Sequence, residues 1–321
     1  MGTIDAAAAL TDIISVWKTA LPALFLGCYC GVVLRTGRFL AFFSKALRPM
    51  TALGKLPESL GPFFILCLLN RYAANAMLAE YDRKKLITRT SLMAVYLMGS
   101  FPTSIYFTLF YFSPALVASL GWKLGMTFFL INIGMNIIVT VIGIIWNRIS
   151  VGHQQFGALD KQPDGNTASE ETDLLAAASI AFRQFWDIAK VFMPVTAIFA
   201  FLIHTSLMAE VLAGLDPFLR WFNLTTAGVL VIVAGIPTLI AAIGVAGTLL
   251  QSGALVGEEV IFNLLIASIF HNIYDGASRV LPSNLSIFGV RQGAIVSVVG
   301  TGLYLAIVVL TAGIALYVQA G

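Results

Sequence analysis

Long apolar runs separated by short polar ones organise this chain. Residues 13–34 form a first run about long enough to cross a bilayer, with Pro22 expected to bend it. Residues 35–55 follow, with Arg35, Arg38, Lys45, Arg48 and Lys55 set among apolar and aromatic residues and no acid between them. That pattern predicts an amphipathic segment lying in the cytoplasmic surface of a membrane. A second apolar run, residues 57–79, is interrupted by Asn70, Arg71 and Asn75, and the basic cluster Arg83, Lys84, Lys85 and Arg89 follows it. A third, residues 86–112, is expected to break over Gly99 to Ser104, around Pro102, and a fourth covers residues 121–146. Between Arg148 and Asp173 the chain turns polar and acidic, which reads as a linker.

After the linker the programme returns. Ile105-Tyr106 recurs as Ile273-Tyr274, Pro114 as Pro282, and the stretch from Gly121 to Gly125 as that from Gly289 to Gly293, each 168 positions on (282 minus 114). Leu47-Arg48-Pro49 recurs as Leu215-Asp216-Pro217 at the same spacing. Several ordered matches at one offset predict two copies of one unit. The expected division is residues 1–148, a linker at 149–178, and a second copy at 179–321.

Loop charge orients the copies. A full crossing by residues 57–79 would put two basic loops on opposite faces, against the positive-inside rule. A re-entrant hairpin keeps both in the cytoplasm, with Asn70 and Arg71 near its tip. Such non-helical backbone is tolerated at membrane depth only where it lines a cavity or is buried in protein. Each copy then has three transmembrane helices, an interfacial amphipathic helix and a re-entrant hairpin. Three is odd, so the two repeats are inverted, with both termini outside and the linker cytoplasmic. Glu210, Asp216, Glu258 and Glu259 fall in the second copy's counterparts of the basic loops and agree with inversion. Four full crossings per half in parallel is the alternative. The fold class is an all-α polytopic membrane protein.

Broken helices at matching positions of inverted halves point to a transporter's central site. The hairpins are expected to turn at residues 69–75 and 237–247, and the crossing helices to break at residues 100–104 and 271–276. His271, Asp275 and Arg279 share one helix face at four-residue steps. Ionisable groups at bilayer depth are costly and normally face a pathway. The candidate substrate-binding residues are therefore Asn70, Arg71, Asn75, Ser100, Thr103, Ser104, His271, Asn272, Tyr274 and Asp275. Each has a plainer role open to it. Arg71 can snorkel to the surface, Asn70 and Asn75 can cap the hairpin arms, and Ser104 can bond back to its own helix. The stripe Asn132, Asn136 and Thr140 is explained by interhelical hydrogen bonding alone.

Composition fixes the class. Hydrophobic residues make up 59% and charged residues 11%, with mean hydropathy +0.90, whereas a soluble domain carries roughly 25% charged residues. The net charge of +3 gives no ground for a nucleic-acid partner. Cys28, Cys30 and Cys67 lie in apolar runs without metal-ligand spacing and read as packing residues. No HExxH or GxSxG pattern appears, and Asp275 has no second carboxylate beside it, so no enzyme, metal site or cofactor is expected.

On this arrangement, with the stretches at residues 70–78 and 244–253, the chain resembles the Gate or nucleoside recognition domains. These occur in pairs in the membrane region of ferrous iron transporter B and in spore maturation proteins, and are distantly similar to concentrative nucleoside transporters. The resemblance implies hairpin tips and broken helices meeting around a substrate in a prokaryotic cytoplasmic membrane. Together with the residues it points to a secondary transporter for a small polar or anionic solute, nucleoside-like compounds included, with coupling to H+ or Na+ expected from the histidine and carboxylate of His271 and Asp275. A non-transporting membrane scaffold and a metal-ion permease are the alternatives, and a homo-oligomer is left open.

Overall fold

The computed structural model describes residues 49–150, 174–203 and 224–320, with scattered positions between 10 and 47. Most of the expected first crossing and amphipathic segment, the linker, and the loop with Glu210, Asp216 and Arg220 lie outside the described residues. Those described form helices and no strand.

The first half opens with α1, Gly61–Leu69, and α2, Arg71–Arg83, joined by a single extended residue, Asn70 (φ −157°, ψ 104°). Pro62 suits the first turn of α1, where its missing N–H removes no helix bond. The Asn70 N–H closes α1 on the Leu66 carbonyl at 2.6 Å. Its side-chain oxygen opens α2 by accepting from the N–H groups of Tyr72 and Ala73. One asparagine thus ends one helix and starts the next. The far ends also meet, since the Tyr81 hydroxyl donates to the Ser59 carbonyl at 3.5 Å. The chain therefore leaves this pair of helices close to where it enters.

Next come α3, Arg89–Met98, and α4, Ser100–Phe107, then a π-helical turn, Thr108–Phe112, and α5, Ser113–Ser150. Gly121 interrupts α5 with φ 76° and ψ 171°, a region open essentially to glycine alone. The latter part of α5 crosses α3 backbone to backbone at Gly143, where an added Cβ would lie 2.8 Å from the Ala94 carbonyl oxygen. Small residues permit such approach between membrane helices, whose contact lipid-like side chains cannot drive. At its end, Asn147 and Arg148 donate to the carbonyls of Gly54 and Leu53.

After α6, Leu174–Ile203, the second half has α7, Thr226–Gly235, and α8, Leu239–Gln251. Then follow α9, Gly257–Asp275, a π-helical turn, Gly276–Val280, α10, Leu281–Phe288, and α11, Val290–Ala320. Backbone features recur at 168 positions. Asn70 and Thr238 are both extended between paired helices, with φ −157° and −160°. Lys85 and Gly253 both have positive φ, as do Gly121 and Gly289. The π-helical turns at 108–112 and 276–280 also match, and each leads into a proline, Pro114 or Pro282. A proline lacks the N–H needed for the α-helical bond, and the wider turn before it absorbs the defect.

Contacts between the halves exchange in the same way. α2 packs on α10, and α8, the counterpart of α2, packs on α5. There Gly247 meets Ser119 so closely that an added Cβ would lie 2.7 Å from the Ser119 carbonyl oxygen. α8 is buried along its whole length from Leu239 to Leu249 and forms the middle of the core.

Three runs among the described residues are long and apolar enough to cross a membrane: Arg89–Ser150, Gly257–Phe288 and Val290–Val318. Gly121 divides the first into parts that match the other two in length. Their outer faces carry Ile149, Leu310, Ile314 and Val318, all strongly exposed, as lipid-facing positions require. Six such helices were expected from the sequence; the described residues contain these three runs. The expected breaks are met only at their edges, Gly99 separating α3 from α4 and α9 giving way to the π-helical turn at Gly276. Residues 100–104 are helical, because Pro102 sits in the first turn after Gly99, where few backbone bonds need its N–H. Residues 271–275 also stay helical, Gly276 keeping φ −54°. Further interruptions, with positive φ, lie at Gly121 and Gly289. The second paired-helix turn occupies residues 236–238, leaving Gly244 and Gly247 inside α8.

Candidate functional site

The polar residues of both halves converge on one interior cavity of about 410 Å³. Arg71 and Asn75 reach it from α2, and Ser100, Thr103 and Ser104 from α4. His271, Asn272 and Asp275 reach it from α9, with Arg279 from the π-helical turn beyond. Asn132 and Asn136 of α5 and Tyr304 of α11 complete the polar wall, and Phe63, Phe107 and Phe112 add aromatic surface. Eight pairs of lining residues are 168 positions apart, among them Arg71 with Leu239, Thr103 with His271, Phe107 with Asp275, and Asn136 with Tyr304. The cavity is therefore lined by residues from both halves of the chain. Their chemistry differs, with hydroxyl or ring in the first half where the second carries imidazole or carboxylate.

Arg71 is exposed, and its guanidinium turns onto Tyr96. Its Nη2 donates to the Tyr96 hydroxyl at 2.5 Å, and its guanidinium carbon lies 5.5 Å from the Tyr96 ring centroid. The same hydroxyl accepts from Asn284 Nδ2 at 3.3 Å, which also donates to Ser297 Oγ at 3.0 Å. Asn75 Nδ2 donates to Asn284 Oδ1 at 3.1 Å. Asn75, Tyr96, Asn284 and Ser297 are all buried, so this network satisfies groups that would otherwise be orphaned.

On α9, His271 Nδ1 lies 3.2 Å from the Ile236 carbonyl oxygen, at the turn between α7 and α8. A carbonyl only accepts, so Nδ1 carries the hydrogen and Nε2 is the nitrogen left for another partner. One turn on, Asp275 pairs with Arg279 at 3.3 Å. Asn272 donates back to the Ser268 carbonyl at 2.6 Å, which leaves its side-chain oxygen as an acceptor. The stripe on α5 works as interhelical bonding. Thr140 accepts from the Phe101 N–H and donates to the Met98 carbonyl, bridging the kink at Gly99, and Ser100 donates to Asn136 at 2.9 Å.

Eight of the ten sequence candidates line the cavity. Asn70 does not, its side chain being used to cap α2, and Tyr274 does not, being exposed on the other side of α9. Tyr96 and Tyr304 line the cavity and were not expected there, nor were Asn284 and Ser297 in the network joined to Tyr96. Tyr96 is the one signal available in sequence, a hydroxyl inside an apolar stretch that must find a partner once buried. Cys67 is buried and packs against Gly99, in line with a packing role. Among the described residues no group of three or more metal-ligating side chains is present.

No family model and no solved structure matches the chain. It is similar to "Uncharacterized protein MJ1589" of Methanocaldococcus jannaschii, 26% identical over 206 residues, 64% of this chain and 81% of that one. It is also similar to "Uncharacterized protein MJ0871" of the same organism, 23% identical over 75% of this chain and 74% of that one. A third, "Uncharacterized protein MJ1556", is 23% identical over 85% of this chain and 86% of that one.

Proposed function

We propose that the protein is a secondary transporter for a small polar or anionic solute, with its site in the cavity between two inverted Gate-like halves. The observation that carries this reading is the set of cavity-lining pairs 168 residues apart, because a site shared by two related halves is the arrangement that alternating access requires. The exchanged contacts, α2 on α10 and α8 on α5, fit a two-fold relation between the halves. The contact of Tyr81 with Ser59 fits a hairpin that enters and returns on one face. In this reading both termini lie outside and the linker is cytoplasmic.

Rocking of one half against the other would open the cavity to each side in turn. His271, held by Ile236, offers Nε2 as a proton acceptor, and Asp275 one turn away offers a carboxylate. Coupling to a proton or cation is assigned to this pair. Uptake into proteoliposomes tests the proposal, using labelled nucleosides and organic anions with and without an imposed proton or Na+ gradient. Accumulation of at least one solute by the wild type, and its loss in Asp275→Asn, is the expected result. A folded protein that moves none of them under either gradient overturns it.

A further inference from the structure

The charges around the cavity do not balance. Arg71 and Arg279 both line it, and among the described residues Asp275 is the one carboxylate on its wall. Asp275 forms its ion pair with Arg279. Arg71 is left with a phenol, the Tyr96 hydroxyl, as its hydrogen-bond partner among the described residues. A guanidinium carries five N–H donors in a planar fork, and Tyr96 occupies one of them. The Arg71 side chain retains accessible surface and lines the cavity, so the open edge of that fork is available to an occupant.

The start of α2 is not itself the attraction. Asn70 already takes the Tyr72 and Ala73 N–H groups, so the side chain of Arg71 and not the helix end supplies the donors. Protonation of His271 on both nitrogens would only add to the positive side. A cation in the interior of a membrane protein is costly unless an opposite charge meets it, and the planar fork of arginine matches the two oxygens of a carboxylate or phosphate. Thr103 of α4 and Asn272 of α9 add polar groups to the same wall.

Resting on the transport reading above, we infer that the solute presents an oxyanion, carboxylate or phosphate, to Arg71. The full-length protein in detergent, with its thermal midpoint followed at constant ionic strength, tests this with benzoate, inorganic phosphate and benzamide. Benzoate or phosphate should raise the midpoint, and the active one tells an organic carboxylate from a free inorganic anion. Benzamide keeps the ring and loses the charge, and should leave the midpoint unchanged. Arg71→Gln should weaken the effective anion at least about tenfold, and Arg71→Lys should keep part of the effect.

Equal stabilisation by benzamide, no shift with either anion, or an undiminished shift in Arg71→Gln overturns the assignment. If Arg71→Gln fails to fold, the wild-type contrast between benzoate and benzamide decides alone. Arg71-dependent anion binding without vesicle uptake of any solute would remove the carrier and keep the anion site. Uptake of a neutral or cationic solute with no anion binding would do the reverse.

Discussion

The Asn75 side-chain amide donates to the Asn284 side-chain oxygen across 3.1 Å, joining residues 209 positions apart and tying α2 of the first half to α10 of the second. Both side chains are buried, and Asn284 passes the connection on to Tyr96 and Ser297. Loss of either partner leaves a buried polar group unsatisfied. Asn75→Ala and Asn284→Ala should each destabilise the protein by about 1–3 kcal/mol. The double variant should cost less than the sum, as a double-mutant cycle of thermal unfolding in detergent would measure. Additivity would mean that the bond contributes nothing.

Gly143 and Gly134 lie on one helix and should respond in opposite ways to alanine. A Cβ at Gly143 would lie 2.8 Å from the Ala94 carbonyl oxygen and 2.9 Å from the Met98 nitrogen, backbone atoms that cannot move alone. Gly143→Ala should therefore cost about 1–3 kcal/mol through forced separation of α5 from α3. At Gly134 nothing lies within 4 Å, so Gly134→Ala should be neutral or slightly stabilising through helix propensity. Unfolding midpoints of the two variants make the comparison.

Gly121 and Gly289 have φ 76° and 80°, with open space where a side chain would stand. The cost of alanine is then conformational only, about 1–3 kcal/mol at each site. Similar midpoint losses in Gly121→Ala and Gly289→Ala are expected. A much smaller loss at one site would show that its turn relaxes into helix.

Topology has a direct test in cysteine labelling from one side of sealed vesicles, on a background lacking Cys28, Cys30 and Cys67. Lys55→Cys and Lys85→Cys should label from the same side, as a returning hairpin requires, and Gly253→Cys from the other. Lys55 and Lys85 labelled from opposite faces would remove the inverted arrangement and the transport reading with it.

His271→Asn keeps a donor near the Nδ1 position for the Ile236 carbonyl and removes the ring with its Nε2. It should fold with a midpoint near that of the wild type and lose gradient-driven accumulation while keeping exchange of solute across vesicles. Unchanged accumulation would move the coupling site elsewhere.

The sequence by itself determined the class and the periodicity. Apolar runs of bilayer length leave little choice of solvent, and the recurrence of Pro114 as Pro282 and Gly121 as Gly289 marks features with fixed backbone consequences. It also picked out most of the cavity's polar residues, because charge in an apolar run is costly enough to need a purpose. Where the helices break was legible only in part. Gly99 lies in the stretch expected to break, but Pro102 is accommodated in the helix that follows, and the positive φ at Gly121 and Gly289 is announced by no local pattern. The partners of Arg71 and Asn75 were decided by tertiary packing alone. Tyr96, Asn284 and Ser297 lie on three different helices, and only the docking of α2 against α3 and α10, and of α10 against α11, brings Asn284 within 3.3 Å of Asn75, Tyr96 and Ser297.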